Sequence, residues 1–492
     1  FEKKYNQEKI DIYIQSIEAE LEELDYNDPK DKRKIVSREQ KISNIKAGIF
    51  TTKKEQELIR PINLGSSVDL PALMYSEEGF HFEVIKNNES GKPSTDEETL
   101  TNLRLTVKKP DSPKAIFLDR LLELRGLEKM YKTYIEGWNE KVQDDDRLHG
   151  RFLIHGTTSG RLSSAEPNAQ QIPKTSVDPN IKLQLKAPKG TLYIASDFSQ
   201  AELRIMAHLS GDETYLNAFN SGQDPHLAIA ATKYHIPYEE ALKIYEDENH
   251  PEHKIWKVRR KQAKQIAFGL IYGIGAKLLA VKLSDPKSGI IVTPEEAQKE
   301  MDIFFGQHPK LKTFLKKQEK FLRKNGHLVS LFGRKRRLPQ IYSNDKGEEA
   351  YALRLALNFP CHSAASDMCL FGSILIYYLM RQGKLPSTKS VCLVHDANYQ
   401  ITKPENINIW SIYEMWQIYR NPLTKPYFGF QIDDVTMDME FVIGRSMAEE
   451  LPFIPGYDYK KMLEPDFSVE EYMEEHKKYK HIPISEYKKR FN

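Results

Sequence analysis

The 492-residue sequence holds only three cysteines, Cys361, Cys369 and Cys392, and no two of them form a Cys-x-x-Cys pair. A disulfide framework and a structural zinc site are both excluded, and a reducing compartment is the expectation. Long apolar runs are also missing. The longest, Leu370 to Met380, falls well short of the roughly 18 residues that cross a bilayer, so a soluble chain without a membrane partner is expected. The chain opens at Phe1 with no basic-plus-apolar leader, which leads us to expect a fragment or processed product of something longer. Charge of one sign is not in excess: 72 Lys and Arg against 70 Asp and Glu leave +2, so only local clusters can reveal a polyanionic partner. Catalytic signatures are missing too. There is no Walker A lysine loop, no H-E-x-x-H and no G-x-S-x-G, and Gly273-Ile274-Gly275 continues to Leu278 where a dinucleotide fingerprint needs Gly. P-loop ATPases, dinucleotide enzymes, zincins and serine hydrolases are disfavoured.

What is present suffices for a large folded body. The sequence is 40% hydrophobic and 10% aromatic, enough apolar surface to offset the entropy of ordering, and its length calls for several domains or one multi-part enzyme. From Tyr5 to Lys54 the spacing of Ile10, Ile12, Ile14, Ile17, Leu21 and Leu24 predicts long surface helices or a helical hairpin, the shape of a lever or clamp. Asn88 to Glu98 reads as a loop, Ala115 to Tyr134 as an amphipathic helix, and Gly156 to Pro173 as irregular. The β-rich run Thr191 to Ala195 stops at Ser196-Asp197, and a helical pattern begins near Ala201, which puts Asp197 at a strand-to-helix junction. Ile255 to Leu283 predicts one long helix. Another, started by Thr293-Pro294-Glu295-Glu296 as cap, first-turn Pro and capping-box Glu, runs towards Asn325-Gly326. Val391 to Val394 and Tyr399 to Thr402 flank His395-Asp396-Ala397-Asn398 as a hairpin with an acidic turn. Beyond Glu449 the acid-rich tail carries no motif.

Three features suggest chemistry. Arg260, Lys264, Phe268 and Tyr272 recur every four residues and so share one helical face. Two adjacent cations can hold a polyphosphate, and two aromatics beyond them can stack on a sugar or base; core packing with a solvated edge is the blander meaning of such a stripe. Asp197 and Asp396 each end a β-run, and carboxylates are the ligands Mg²⁺ prefers, so neighbouring strands would let them hold a metal pair. Helix capping for Asp197, a capping box of Ser199 with Glu202, and a simple turn for Asp396 are the alternatives. Between Pro309 and Arg337 eleven Lys and Arg stand against the single acid Glu319, interleaved with Phe314, Phe321 and Phe332. That density suits a phosphate backbone better than a merely solvated face.

Taken together these stretches resemble family A DNA polymerases, the group of bacterial polymerase I and many phage replicases. Ser196-Asp-Phe-Ser-Gln-Ala-Glu-Leu-Arg204 is similar to their motif A, Arg260 to Gly273 to motif B, Val394-His395-Asp396 to motif C, and Thr158 to Pro173 to the primer-template segment. Order and spacing match from about Asn63 to Glu449. The resemblance implies an α+β right hand with an antiparallel palm sheet. Residues 1–155 would form an N-terminal segment and helical thumb, 156–207 and 346–449 the palm, 208–345 the fingers, and 450–492 an extension of unknown role. It implies a DNA-directed DNA polymerase that adds dNTPs to a primer 3′-hydroxyl with two Mg²⁺ ions, Mn²⁺ being able to substitute. Asp197, Asp396 and the Phe198 carbonyl would hold the metals. Arg260, Lys264 and His226 would grip the triphosphate, with Lys264 also catalytic. Phe268 would pack on the sugar, Tyr272 would take the template-stacking position, and Glu202 would block a 2′-hydroxyl. Arg161, Asn168, Gln170, Arg354, Asn358, His362 and His395 would contact the primer-template duplex. Closure of the fingers on a paired nucleotide would be the specificity step. The implied setting is the cytoplasm of a bacterium or phage-infected cell, on DNA and beside processivity or replisome proteins; the compact, divergent motifs point to a bacteriophage. No proofreading domain is visible, though a 3′→5′ exonuclease could lie upstream of Phe1.

Two positions depart from the family pattern. Ala397 stands where motif C usually has Glu, which removes an auxiliary acid, and His362 stands where Gln is usual, which alters the expected minor-groove contact. A single-subunit phage-type RNA polymerase shares the two-aspartate palm, but Glu202 and Phe268 argue against it. A catalytically weak DNA-binding relative is the other alternative, motivated by Ala397.

Overall fold

The structure, a computed structural model, describes residues 2–479 apart from 27, 176, 285–290, 387, 395, 421–427 and 477–478. The chain divides into two compact units, the first ending at Met130 and the second beginning at Tyr131.

In the first unit, α1 (Glu2–Glu22) and α2 (Pro29–Lys46) form the expected hairpin, because Ile14, Ile17 and Leu21 bury against Ile35, Ile42 and Ile45. Ile12, counted in the apolar pattern, lies off that face and is exposed. Asp28 caps α2 by accepting from the Lys30 amide at 2.8 Å, with Pro29 at the first helical position. Next come α3 (Lys53–Leu58), α4 (Asp69–Tyr75), α5 (Glu97–Thr106) and α6 (Pro113–Met130). Leu70, Met74, Phe82, Leu100, Leu103, Leu118 and Leu121 make a second small core among them. The stretch before α5 is a loop closed by a bridge between Asn87 and Pro93.

The second unit starts with α7 (Gly137–Asn139), the hairpin of β1 (Arg151–Leu153) and β2 (Ser163–Ala165), and α8 (Pro179–Gln184). Its centre is β3 (Leu192–Phe198), a strand buried at every residue but Asp197. Small helices follow: α9 (Ala201–Ser210), α10 (Glu213–Asn220), α11 (Pro225–Lys233) and α12 (Tyr238–Glu246). The single helix expected over 255–283 is two, α13 (His253–Ile271) and α14 (Ala276–Leu283). Gly273 divides them: its φ is +69°, and an added Cβ would sit 3.1 Å from Leu357 Cδ1. The next expected helix is also two, α15 (Pro294–Gln307) and α16 (Pro309–Asn325), because Pro309 has no amide to continue the ladder. Its predicted start holds, with the Thr293 and Glu296 capping box in place.

β4 (His327–Val329) pairs with β5 (Lys335–Arg337), and the 36-residue α17 (Lys346–Arg381) then returns to the sheet. α17 is the one helix among the described residues long and apolar enough to cross a membrane by length and composition, but in the fold Ala352, Ala356, Phe359, Ala364, Met368 and Ile376 bury inside the unit. β6 (Thr388–Val394), β7 (Ala397–Thr402), α18 (Ile409–Arg420), β8 (Met439–Gly444), β9 (Leu451–Pro452) and α19 (Val469–His476) complete it. The sheet order is β6-β7-β3-β8-β9, antiparallel throughout. The segment after Glu449, unreadable in sequence, supplies the edge strand β9 and sends Phe453, Tyr459, Met462 and Tyr472 into the main core.

Candidate functional site

The two aspartates converge. β3 pairs with β7 so that Asp197 lies opposite Ala397, the residue after Asp396, and with β8 so that Asp197 lies opposite Glu440. Directly opposed residues of antiparallel strands share a face, with Cβ atoms roughly 5 Å apart. Asp197 keeps an opening to solvent while protein crowds it elsewhere. That crowding, followed by the carboxylates of Asp396, Glu440 and Glu450, pushes its pKa well above the usual range. Among the described residues no three His, Cys, Asp or Glu side chains group tightly enough to hold a metal. The pair fits a hard divalent cation all the same: its donors are oxygens, and their mutual repulsion is what a cation would relieve. Phe198, whose carbonyl was expected to assist, ends β3 with a buried side chain, and Ser199 donates its amide to the Asp438 carbonyl at 2.9 Å. Helix capping does not account for Asp197, because Gln200, at φ +57°, stands at the cap of α9.

Arg260, Lys264 and Phe268 lie along α13 as predicted, with Tyr272 at its C-cap, while Ala263, Ile266, Ala267 and Leu270 are buried. Arg260 donates through Nε and Nη2 to Asp224 Oδ2 at 3.1 and 2.5 Å. Asp224 precedes Pro225-His226 and caps α11; sequence reasoning named the histidine and passed over the aspartate. Burial, then Arg260 and Lys174, lowers the pKa of Lys264, whose Nζ lies 5.8 Å from the Phe268 ring centroid. Phe268 stacks on Tyr272 at 6.2 Å and meets His226 at 5.7 Å. His226 is buried and neither ring nitrogen has a hydrogen-bond partner in the protein. The result is a face with two cations, an imidazole and two aromatics, suited to an anion joined to a planar group.

Glu202, in the first turn of α9, makes no capping box with Ser199. Its Oε1 accepts from Arg161 Nη2 and lies 2.7 Å from His362 Nδ1, and its Oε2 accepts from the Tyr272 hydroxyl. Burial pushes this carboxyl up, but His362, Tyr272 and Arg161 outweigh it and hold the pKa down at about 2. Tyr272 is driven the other way, first by burial and then by the Glu202 charge. These contacts bind the end of α13 to a residue five positions beyond Asp197.

Of the residues expected to meet a duplex, Arg161 is thus turned to Glu202. Asn168 caps the short turn Ala169–Gln171, accepting from the Gln170 amide at 3.0 Å, and Gln170 Nε2 donates to the Leu393 carbonyl of β6 at 3.3 Å. Arg354, Asn358 and His362 follow one another at four-residue spacing on α17, with Arg354 exposed. His395 lies outside the described residues. Gly160, at φ +84°, is packed under Arg334; a Cβ there would fall 2.2 Å from its Nε, and Arg334 is fixed by Asp367 at 2.7 Å. Part of the cationic run is therefore engaged internally: Arg334 on Asp367, Arg323 on Glu319 and Glu349, and Arg336 near the Phe359 ring.

The profile described as DNA polymerase family A matches residues 32–408. The thermostable DNA polymerase I of Thermus aquaticus is 31% identical over 319 residues, covering 64% of this chain and 35% of that protein. DNA polymerase I of Pseudomonas aeruginosa is 31% identical over 336 residues, covering 68% and 33%. The chain therefore spans about a third of the length of these relatives. A solved POL domain of Pol1 from M. smegmatis, in complex with DNA primer-template and dNTP, is similar with a TM-score of 0.65 and 28% identity, over 80% of this chain and 62% of that one.

Proposed function

Because the chain belongs to DNA polymerase family A, whose α+β right-hand fold it shares, we propose that it is a template-directed DNA polymerase. It would extend a primer 3′-hydroxyl with dNTPs and release pyrophosphate. The observation that carries this reading is the bond from Tyr272 to Glu202. It brings the cation-and-aromatic face of α13 to the strand end where Asp197 and Asp396 meet.

On this reading residues 156–207 and 346–449 make the palm, 208–345 the fingers and 1–155 an N-terminal segment and the helical thumb. Two divalent cations held by Asp197, Asp396 and the Phe198 carbonyl, Mg²⁺ being the ordinary choice, would activate the hydroxyl and stabilise the leaving pyrophosphate. The protein's own part is positioning and charge, as phosphoryl transfer requires. Arg260 and Lys264 bind the triphosphate, and His226, buried beside them, can take up a proton as that anion arrives. Phe268 packs on the sugar, and Glu202 crowds its 2′ position.

The test is extension of a labelled primer on a DNA template, with dNTPs and rNTPs supplied separately. Extension with dNTPs that disappears in Asp197→Asn supports the proposal. Faster use of rNTPs, or undiminished extension by Asp197→Asn, overturns it.

A further inference from the structure

The Glu202 carboxylate is approached from three segments remote in sequence: Arg161 in the turn between β1 and β2, Tyr272 at the end of α13, and His362 on α17. Both oxygens are engaged, so the side chain cannot rotate without losing a contact. His362 differs from the other two in its footing. It sits beside Cys361, whose Sγ lies 3.8 Å from Met206 Sδ on α9, and Ala364 and Ala365 are buried in the next turn. The helices carrying His362 and Glu202 are thus packed together beneath this pair. Arg161 and Tyr272 stand instead at a turn and a helix end, the places the proposed primer and nucleotide would reach. The His362 side chain is 17% exposed, and its ring lies 5.0 Å from that of Tyr272 at 41°. Nδ1 reaches Oε1 off the line of a good hydrogen bond, so the contact is mainly electrostatic and is an ion pair whenever the ring is protonated.

We propose that His362 determines sugar specificity: from α17 it clamps Glu202 in the position that refuses a 2′-hydroxyl. This rests on the reading of Glu202 as the group that crowds C2′. With His362 removed, Oε1 keeps Arg161 alone, and the carboxylate can swing to admit ribose.

Single-turnover incorporation of a dNTP and its matching rNTP on one primed template is compared for the wild type, H362A, E202A and the double variant. Taking the ratio of the two efficiencies cancels any loss through folding or primer binding that affects both. H362A is expected to lower the dNTP preference about 10-fold, the scale of one contact to a charged group, and the double variant to fall no further than E202A alone. An unchanged ratio in H362A overturns the proposal, and if primed DNA is also bound more weakly it assigns His362 to the primer terminus instead. A further drop in the double variant equal to that of H362A overturns it too, because His362 would then act apart from Glu202. If E202A itself keeps the preference, the underlying reading of Glu202 fails and the proposal falls with it.

Discussion

Asp224 divides its carboxylate between two tasks: Oδ1 accepts from the Leu227 amide at 2.8 Å and caps α11, while Oδ2 holds Arg260. Arg260 is therefore already countered by an acid, which the proposed triphosphate would have to compete with. Asp224→Ser keeps a capping oxygen and removes the charge. We expect the dNTP Kd to fall about 5-fold, equivalent to about 1 kcal/mol of relieved repulsion, and the maximal incorporation rate to fall because Arg260 is no longer aimed. A pre-steady-state dNTP titration measures both, and a weaker Kd would show that Asp224 assists binding.

His226 carries a pH signature. Burial, then Arg260 and Lys264, push its pKa from 6.5 down to about 4, against the pull of Asp224. Between those values the unfolded chain binds a proton that the folded chain refuses. Stability therefore rises with pH across the window and is lost as pH falls through it. Asn at 226 cannot titrate. Urea denaturation at about pH 6.5 and pH 5 should show the wild type losing about 1–2 kcal/mol more than H226N; equal losses would mean that His226 accepts protons freely in the folded state.

Ala397 faces Asp197 across the sheet and is buried. A glutamate there would add a further carboxylate to a face that already repels itself, and like charges directly opposed are destabilising. Ala397→Glu is expected to cost about 1 kcal/mol without divalent cations and to recover stability on adding Mg²⁺ by a larger margin than the wild type does. Thermal unfolding with and without Mg²⁺ decides, and a variant whose Tm ignores Mg²⁺ would remove the acid pair as a cation site.

Much of the five-stranded sheet was legible because its signals are local. Strand β3 shows as a β-rich run that stops at an acid, and β6 and β7 as two short runs flanking His395 to Asn398, of which Ala397 and Asn398 belong to β7. The stripe on α13 is a periodicity. Breaks were harder: Gly273 and Pro309 lie inside otherwise helical patterns, and while the positive φ of Gly273 shows only in the fold, Pro309 could have been read as a residue that cannot continue a helix. The partners of Glu202 could not be read at all, since Arg161 and Tyr272 are 41 and 70 positions away and nothing nearby in sequence names them. Asp224 and Glu440 were passed over for a similar reason. One looks like an ordinary cap and the other like the polar member of an alternating strand, until register sets Glu440 opposite Asp197. The stretch after Glu449 lacks periodicity because its buried residues come from turns and short pieces.

The edge strand β9 ends in Pro452, paired to Val442. Proline has no amide hydrogen to offer a newcomer, so on this flank the ladder has nowhere to grow. Cutting the chain before Leu451 would strip β8 of its cover and leave its bare rim available to another copy, turning a finished border into an invitation to aggregate.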